Sequence, residues 1–127
     1  MVDASVLLAV FLRESGSGRI ISVLEDSSLF APALIRYETA NGLLIAKRRG
    51  RINSLDRLAL IDQYPLKHPA RNHWWSRAEN LVKETDLTFY DSSYAALARV
   101  FDLPLYTLDK KLKNVSRNRN IPLFNGK

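Results

Sequence analysis

Along the whole chain, short apolar runs alternate with longer segments of helical period, and that alternation restricts the fold to the α/β class. Val2 begins a very short strand that ends at Asp3, and residues 28–31, 103–107 and 121–124 read as three more, with 87–90 as a short extended link. Helices are expected over 5–12, over 17–25 with Ser17 as cap, over 33–49 with Gly50 as the stop, and over 53–63. Further helices are expected from 72 or 73 to 85, over 91–101 with Asp91 opening the helix, and over 109–113. Residues 65–73, basic and holding two prolines, are expected to cross the surface. The crossovers between strands are long enough for parallel pairing. At 127 residues, the whole of 1–127 is expected to fold around one core.

Composition narrows the function classes. The apolar share of 46% and charged share of 25% are those of an ordinary globular chain. No apolar run approaches the roughly 18 residues of a membrane helix, and Met1-Val2-Asp3 puts an acid where a leader carries bases. Neither membrane nor export is expected, and the cytoplasm is the expected location. Without cysteine there is no disulfide framework and no thiolate zinc site. The net charge of +6 draws polyanions, nucleic acid first among them, but charge alone suits an unliganded basic protein equally well.

The acids decide more. In open parallel α/β sheets ligands bind outside the carboxyl ends of the strands, and Asp3, Asp91 and Asp109 fall at such ends or at helix starts facing them. Glu38 shares a helix face with Leu34, Asn41 and Ile45, so Glu38 and Asn41 are expected to point inward. A carboxylate held there is costly unless it is paired, hydrogen-bonded or bound to metal. Singly, Asp91 and Asp109 could be helix caps, Asp3 a solvated residue near the terminus, and Glu38 the partner of an arginine. Together they need four separate explanations, whereas a divalent cation is one.

Four stretches also carry a family resemblance. Val2-Asp3-Ala4-Ser5, Pro32-Ala33-Leu34-Ile35-Arg36-Tyr37-Glu38-Thr39-Ala40-Asn41, Leu87-Thr88-Phe89-Tyr90-Asp91-Ser92-Ser93-Tyr94 and Leu105-Tyr106-Thr107-Leu108-Asp109 resemble the four motifs of PIN domains in order and spacing. The resemblance implies a three-layer α/β/α fold around a short parallel sheet. It also implies a catalytic quartet of Asp3, Glu38, Asp91 and Asp109. Asp3, Asp91 and Asp109 would hold magnesium or manganese, and Glu38 would complete the site or orient the attacking water. Ser5, Asn41 and Thr107 would support them as polar neighbours or face the substrate. Size and basicity are most similar to the VapC-like toxins of that family, endoribonucleases neutralised by a small antitoxin. Two departures stand out: only Met1 and Val2 precede the first acid, and Lys110 and Lys111 follow the fourth where some relatives carry another acid.

Around this site, Lys110, Lys111, Lys113 and Arg117, with Arg119, are expected to hold RNA phosphates. The basic run 47–51 matches the helix dipole instead. Trp74 and Trp75 read as half core and half interface ahead of a base-stacking role, and His68 and His73 share no helical face that would hold a metal. Val6, Leu7, Val10, Phe11, Ile20, Ile21 and Leu24 exceed what a small sheet needs, so a homodimer face or antitoxin groove is expected there. The rivals are a catalytically silent PIN-like module binding RNA or protein, a receiver-type domain, and a DNA nuclease. Asp3 stands alone where a receiver needs an acid pair.

Overall fold

The computed structural model describes residues 1–14 and 16–125. Its helices are α1 (Ala4–Phe11), α2 (Ser17–Glu25), α3 (Leu34–Arg48), α4 (Leu58–Gln63), α5 (Trp75–Glu84), α6 (Phe89–Phe101) and α7 (Lys110–Asn118), with a 3₁₀ turn at Arg71–His73. Each expected helix is present, and the differences lie at the ends. Ser17 is the first helical residue of α2 and not its cap, which is Gly16 at φ 85°. The helix expected over 53–63 is only α4, because Ser54 Oγ accepts from the Asp56 amide and holds a local turn. α6 starts two residues earlier than expected, at Phe89, so 87–90 is not an extended link. α7 runs five residues past 113, since Asp109 caps it and Leu112 and Ser116 give it a buried face. That stripe is too narrow to stand out among lysines and asparagines.

Among the described residues, the extended segments meet in three isolated parallel bridges: Val2 with Tyr106, Phe30 with Lys67, and Leu105 with Leu123. Backbone hydrogen bonds from Val2 N to Phe30 O (3.1 Å), Tyr106 N to Met1 O (2.7 Å) and Ala31 N to Lys67 O (3.0 Å) fix the lateral order Lys67, Phe30, Val2, Tyr106, Leu123. The basic segment 65–73 therefore supplies an edge pairing that its two prolines concealed. Pairing is brief because α1 begins just after Asp3, and because Pro32, Pro104 and Pro122 bring no amide hydrogen.

α1 packs on α2 and α3, α3 on α4, and α6 on α5 and α7. α6 is buried continuously from Ser92 to Ala98, a central helix whose small side chains admit neighbours on every side. The close contact of α1 with α3 is made at Gly42, where an added Cβ would lie 2.6 Å from Leu8 Cδ2. α3 consequently buries Ile35, Thr39, Leu43 and Ala46, not the Leu34, Glu38, Asn41, Ile45 face expected from the pattern. Glu38 is half-buried on the flank, while Asn41 and Ile45 are exposed. Among the described residues no helix is long and apolar enough to cross a membrane.

Candidate active site

Asp3 sits where the first extended segment turns into α1, and its side chain does two jobs there. Its Oδ1 accepts from the Val6 amide at 3.3 Å, capping the helix, and from Ser5 Oγ at 2.5 Å. Its Oδ2 accepts from the Thr107 hydroxyl. Ser5 Oγ in turn accepts from Leu108 N at 2.9 Å, and Thr107 Oγ1 from Asp109 N at 3.0 Å. These bonds lock the turn after the Leu105–Tyr106 segment onto the start of α1. Asp3 is only 4% exposed, and its burial pushes its carboxyl up against the opposing effect of those donors.

Glu38 and Asp91 meet through a tyrosine. Tyr94, one helical turn beyond Asp91 on α6, donates its hydroxyl to Glu38 Oε1 at 2.6 Å. Burial, then that hydrogen bond to a carboxylate, drives the Tyr94 hydroxyl far above its ordinary range. Glu38 is raised by burial and by the charges of Asp91 and Asp3, although the Tyr94 bond works the other way. Asp91 is raised by burial and by Asp109, with Lys111 opposing. The fields overlap, with Asp91 felt by Asp3 and Glu38 and itself feeling Asp109.

Two of the three helix starts are made by the acids themselves. Asp109 caps α7, accepting from Leu112 N at 2.8 Å. Asp91 caps nothing: Thr88 caps α6, its Oγ1 accepting from the Asp91 amide at 3.1 Å. The capping explanation for Asp91 is thereby removed. The pairing explanation for Glu38 goes too, because Arg36 points to His68 Nε2 (3.0 Å) and to the carbonyls of Ile61, Asp62 and Tyr64. Among the described residues the ion pairs are Arg51 with Glu14, Lys111 with Asp86, and Arg119 with Glu84, so none neutralises the four acids.

Ser5 and Thr107 lie where expected, on Asp3; Asn41, exposed on α3, does not join them. His68 donates from Nδ1 to Ala31 O at 2.8 Å while receiving Arg36, and His73 packs edge-on against Phe101. Trp74 is buried and Trp75 is 40% exposed. A 700 Å³ cavity lies away from the acids, between α1, α2 and the 64–67 segment, with Val10, Ile21, Leu24 and Tyr64 in its walls.

Residues 1–118, which include all four acids, match the PIN domain family. The chain belongs to the PIN-domain family. It is 29% identical over 125 residues to VapC ribonuclease Mb0985 of Mycobacterium bovis and to ribonuclease VapC9 of Mycobacterium tuberculosis, covering 92% of this chain and 91% of each relative. It is 28% identical over 118 residues to ribonuclease VapC1 of Mycobacterium tuberculosis, covering 88% and 86%.

For a PIN domain with this donor set, a hard divalent cation suits carboxylate oxygens that form no ion pair among the described residues. Among the described residues no group of three or more acidic or histidine side chains is drawn together closely enough to hold a metal ion by itself. Magnesium, which keeps most of its waters and takes one or two carboxylates directly, does not require such a group. Reading the sequence missed Tyr94 and Thr88. The first is visible as Asp91-Ser-Ser-Tyr94, an acid and a phenol on one helix face; the second as Thr88-Phe-Tyr-Asp91, a capping-box spacing.

Proposed function

We propose that this chain is a divalent-metal-dependent endoribonuclease, the toxin of a VapBC-like toxin–antitoxin pair, acting on cytoplasmic RNA as one PIN nuclease domain. The observation that carries the reading is a set of four carboxylates linked through the field of Asp91, three of them raised by burial and like charge, with no ion pair to any of them among the described residues. The bridged segments, in this reading, form the short parallel sheet of a three-layer α/β/α fold with the acids along its carboxyl edge.

Asp3, Asp91 and Asp109 hold the cation, magnesium or manganese, directly or through water. When bound, that ion neutralises charge on the phosphate and lowers the pKa of a water. Glu38, held by Tyr94 and raised by burial, completes the site or orients the attacking water and accepts its proton. Ser5 and Thr107 fix Asp3, and Lys110, Lys111, Lys113 and Arg117 attract the RNA backbone. In-line attack leaves 5′-phosphate and 3′-hydroxyl ends.

The apolar cavity between α1 and α2 is the seat of the small antitoxin, since Val10, Ile21 and Leu24 line it while Val6, Leu7, Phe11 and Ile20 are buried in the core. The active species is a homodimer. The second reading, a silent PIN-like module that binds RNA or protein, is favoured by nothing in the acid cluster, which binding alone does not need. Cleavage of a mixed tRNA and structured-RNA pool, with and without magnesium or manganese, decides between them. The nuclease reading expects metal-dependent cutting by the wild type and none by Asp91→Asn. Equal cutting by both, cutting that survives chelation, or 2′,3′-cyclic phosphate ends would overturn it.

A further inference from the structure

The basic residues that follow Asp109 fall into two groups. Lys111 is tied to Asp86 and Arg119 to Glu84. Lys113 and Arg117, one turn apart on α7, instead line a cavity of about 240 Å³ whose other walls are the 105–108 and 123–125 segments. Among the described residues no acid lines it, and Arg117 reaches the neutral Asn114 Oδ1, at 3.3 Å. Two cations thus face one cavity with no acidic side chain among the described residues to balance them, and an incoming anion relieves their repulsion.

Position points the same way. Leu105 and Leu123 are bridged in parallel, and the cavity opens past both, at the carboxyl ends where such folds take ligands. Thr107 belongs to both features: it lines the cavity and donates to Asp3. Tyr106 and Phe124, with ring centroids 4.8 Å apart, add an aromatic wall. The volume of 240 Å³ lies below the roughly 300 Å³ at which pockets for whole small molecules begin, which suits one residue of a longer strand whose remainder lies outside.

We propose that this cavity is a subsite for one unpaired nucleotide of an RNA strand, adjacent to the bond cut at the acids. Its phosphate rests on Lys113 and Arg117 and its base against the Tyr106–Phe124 pair. The identity of the ligand rests on the nuclease reading above; the cavity's own chemistry does not. A base inside a duplex cannot reach such a wall, so the preference is for single-stranded positions.

The test is anisotropy of a labelled single-stranded oligoribonucleotide in EDTA, where neither cleavage nor metal plays a part. Lys113→Gln/Arg117→Gln is compared with Lys47→Gln/Arg48→Gln, which removes equal charge from the far end of α3, both checked for folding by circular dichroism. The cavity variant is expected to flatten the dependence of log affinity on log salt by about 0.7 to 1.4, at about 0.7 per phosphate contact on a single strand, and the control far less. Replacing the bound base by an abasic position is expected to weaken wild-type binding about fivefold or more, and to matter much less in Phe124→Leu. Equal salt slopes in the two double variants would overturn the proposal. So would competition by a free nucleoside monophosphate as strong as that by the oligonucleotide, which would mark a free-nucleotide site. A flattened slope in a protein that never cuts RNA would uphold this subsite while overturning the nuclease reading.

Discussion

The Tyr94 hydroxyl, buried on α6, donates to Glu38 Oε1 on α3 at 2.6 Å, and so ties two acid-bearing helices together at the site. Tyr94→Phe removes the donor and little else. Stability should fall by about 1 kcal/mol, or roughly 4 °C in Tm. Because the hydrogen bond lowers the Glu38 pKa, losing it raises that pKa further, and the acidic limb of the rate profile should move to higher pH. The rate kcat should fall about tenfold with KM little changed, as for a base that is present but loosely held. A pH–rate profile superimposable on the wild type would show that Tyr94 serves packing alone.

Asp91→Asn and Thr88→Ala should separate charge from capping at the start of α6. Thr88 holds the cap, so its loss should cost about 1 kcal/mol of stability and leave most of the activity. Asp91→Asn should abolish cleavage. It also relieves repulsion from Asp109, so the metal-free variant should melt a few degrees above the wild type. Thermal denaturation in EDTA, beside a cleavage assay, reads both; a destabilised Asp91→Asn would mean that the Thr88 hydrogen bond and Lys111 stabilise its carboxylate by more than Asp109 repels it.

The raised carboxyls set an unusual pH dependence. Asp3, Glu38 and Asp91 all titrate above their unfolded values, so between the two values the folded state binds more protons than the unfolded. Their contribution is fully present below the unfolded pKa and is lost as pH rises through the folded one. Metal-free protein should therefore gain stability on going from about pH 7 to about pH 5, before general acid unfolding begins. Added magnesium or manganese should raise Tm more at the higher pH, where the acids are ionised. A metal-free Tm that only falls over this range would contradict the raised values.

Gly42 carries a packing test. An added Cβ would meet Leu8 Cδ2 at 2.6 Å and Cδ1 at 2.8 Å. Overpacking costs about 1–3 kcal/mol, whereas alanine gains about 1 kcal/mol in helix propensity. Gly42→Ala alone should thus destabilise, but in a Leu8→Ala background, where the cavity accepts the methyl, it should stabilise by about 1 kcal/mol. The same sign in both backgrounds would show that the close approach of α1 to α3 does not depend on this glycine.

Much of this was legible in the sequence, and what was not has physical causes. Helical periodicity and the acids at segment ends placed Asp3 and Asp109 where the structure has them, whereas Asp91 lies inside the first turn of α6 behind the Thr88 cap. The burial of α3 was misread because its inner face is built on Thr39 and Gly42, residues that look indifferent in a hydrophobic pattern yet are what α1 approaches. Asn41 is turned to the surface by the same rotation. Lys67 was hidden by its prolines, and the length of α7 by its polar surface. That Tyr94 pairs with Glu38 on another helix, or Arg36 with His68, is set by tertiary packing, even though the spacing of Tyr94 from Asp91 is visible in the sequence.

Asp3 has a further property that follows from its three donors. A carboxylate offers about four lone-pair directions, two on each oxygen. On Oδ1 both are taken, by the Val6 amide and Ser5 Oγ, and on Oδ2 one is taken by Thr107. One direction on one oxygen remains. Whatever docks on Asp3 must approach along it, so the residue acts as a single aimed contact and not as a two-pronged clamp.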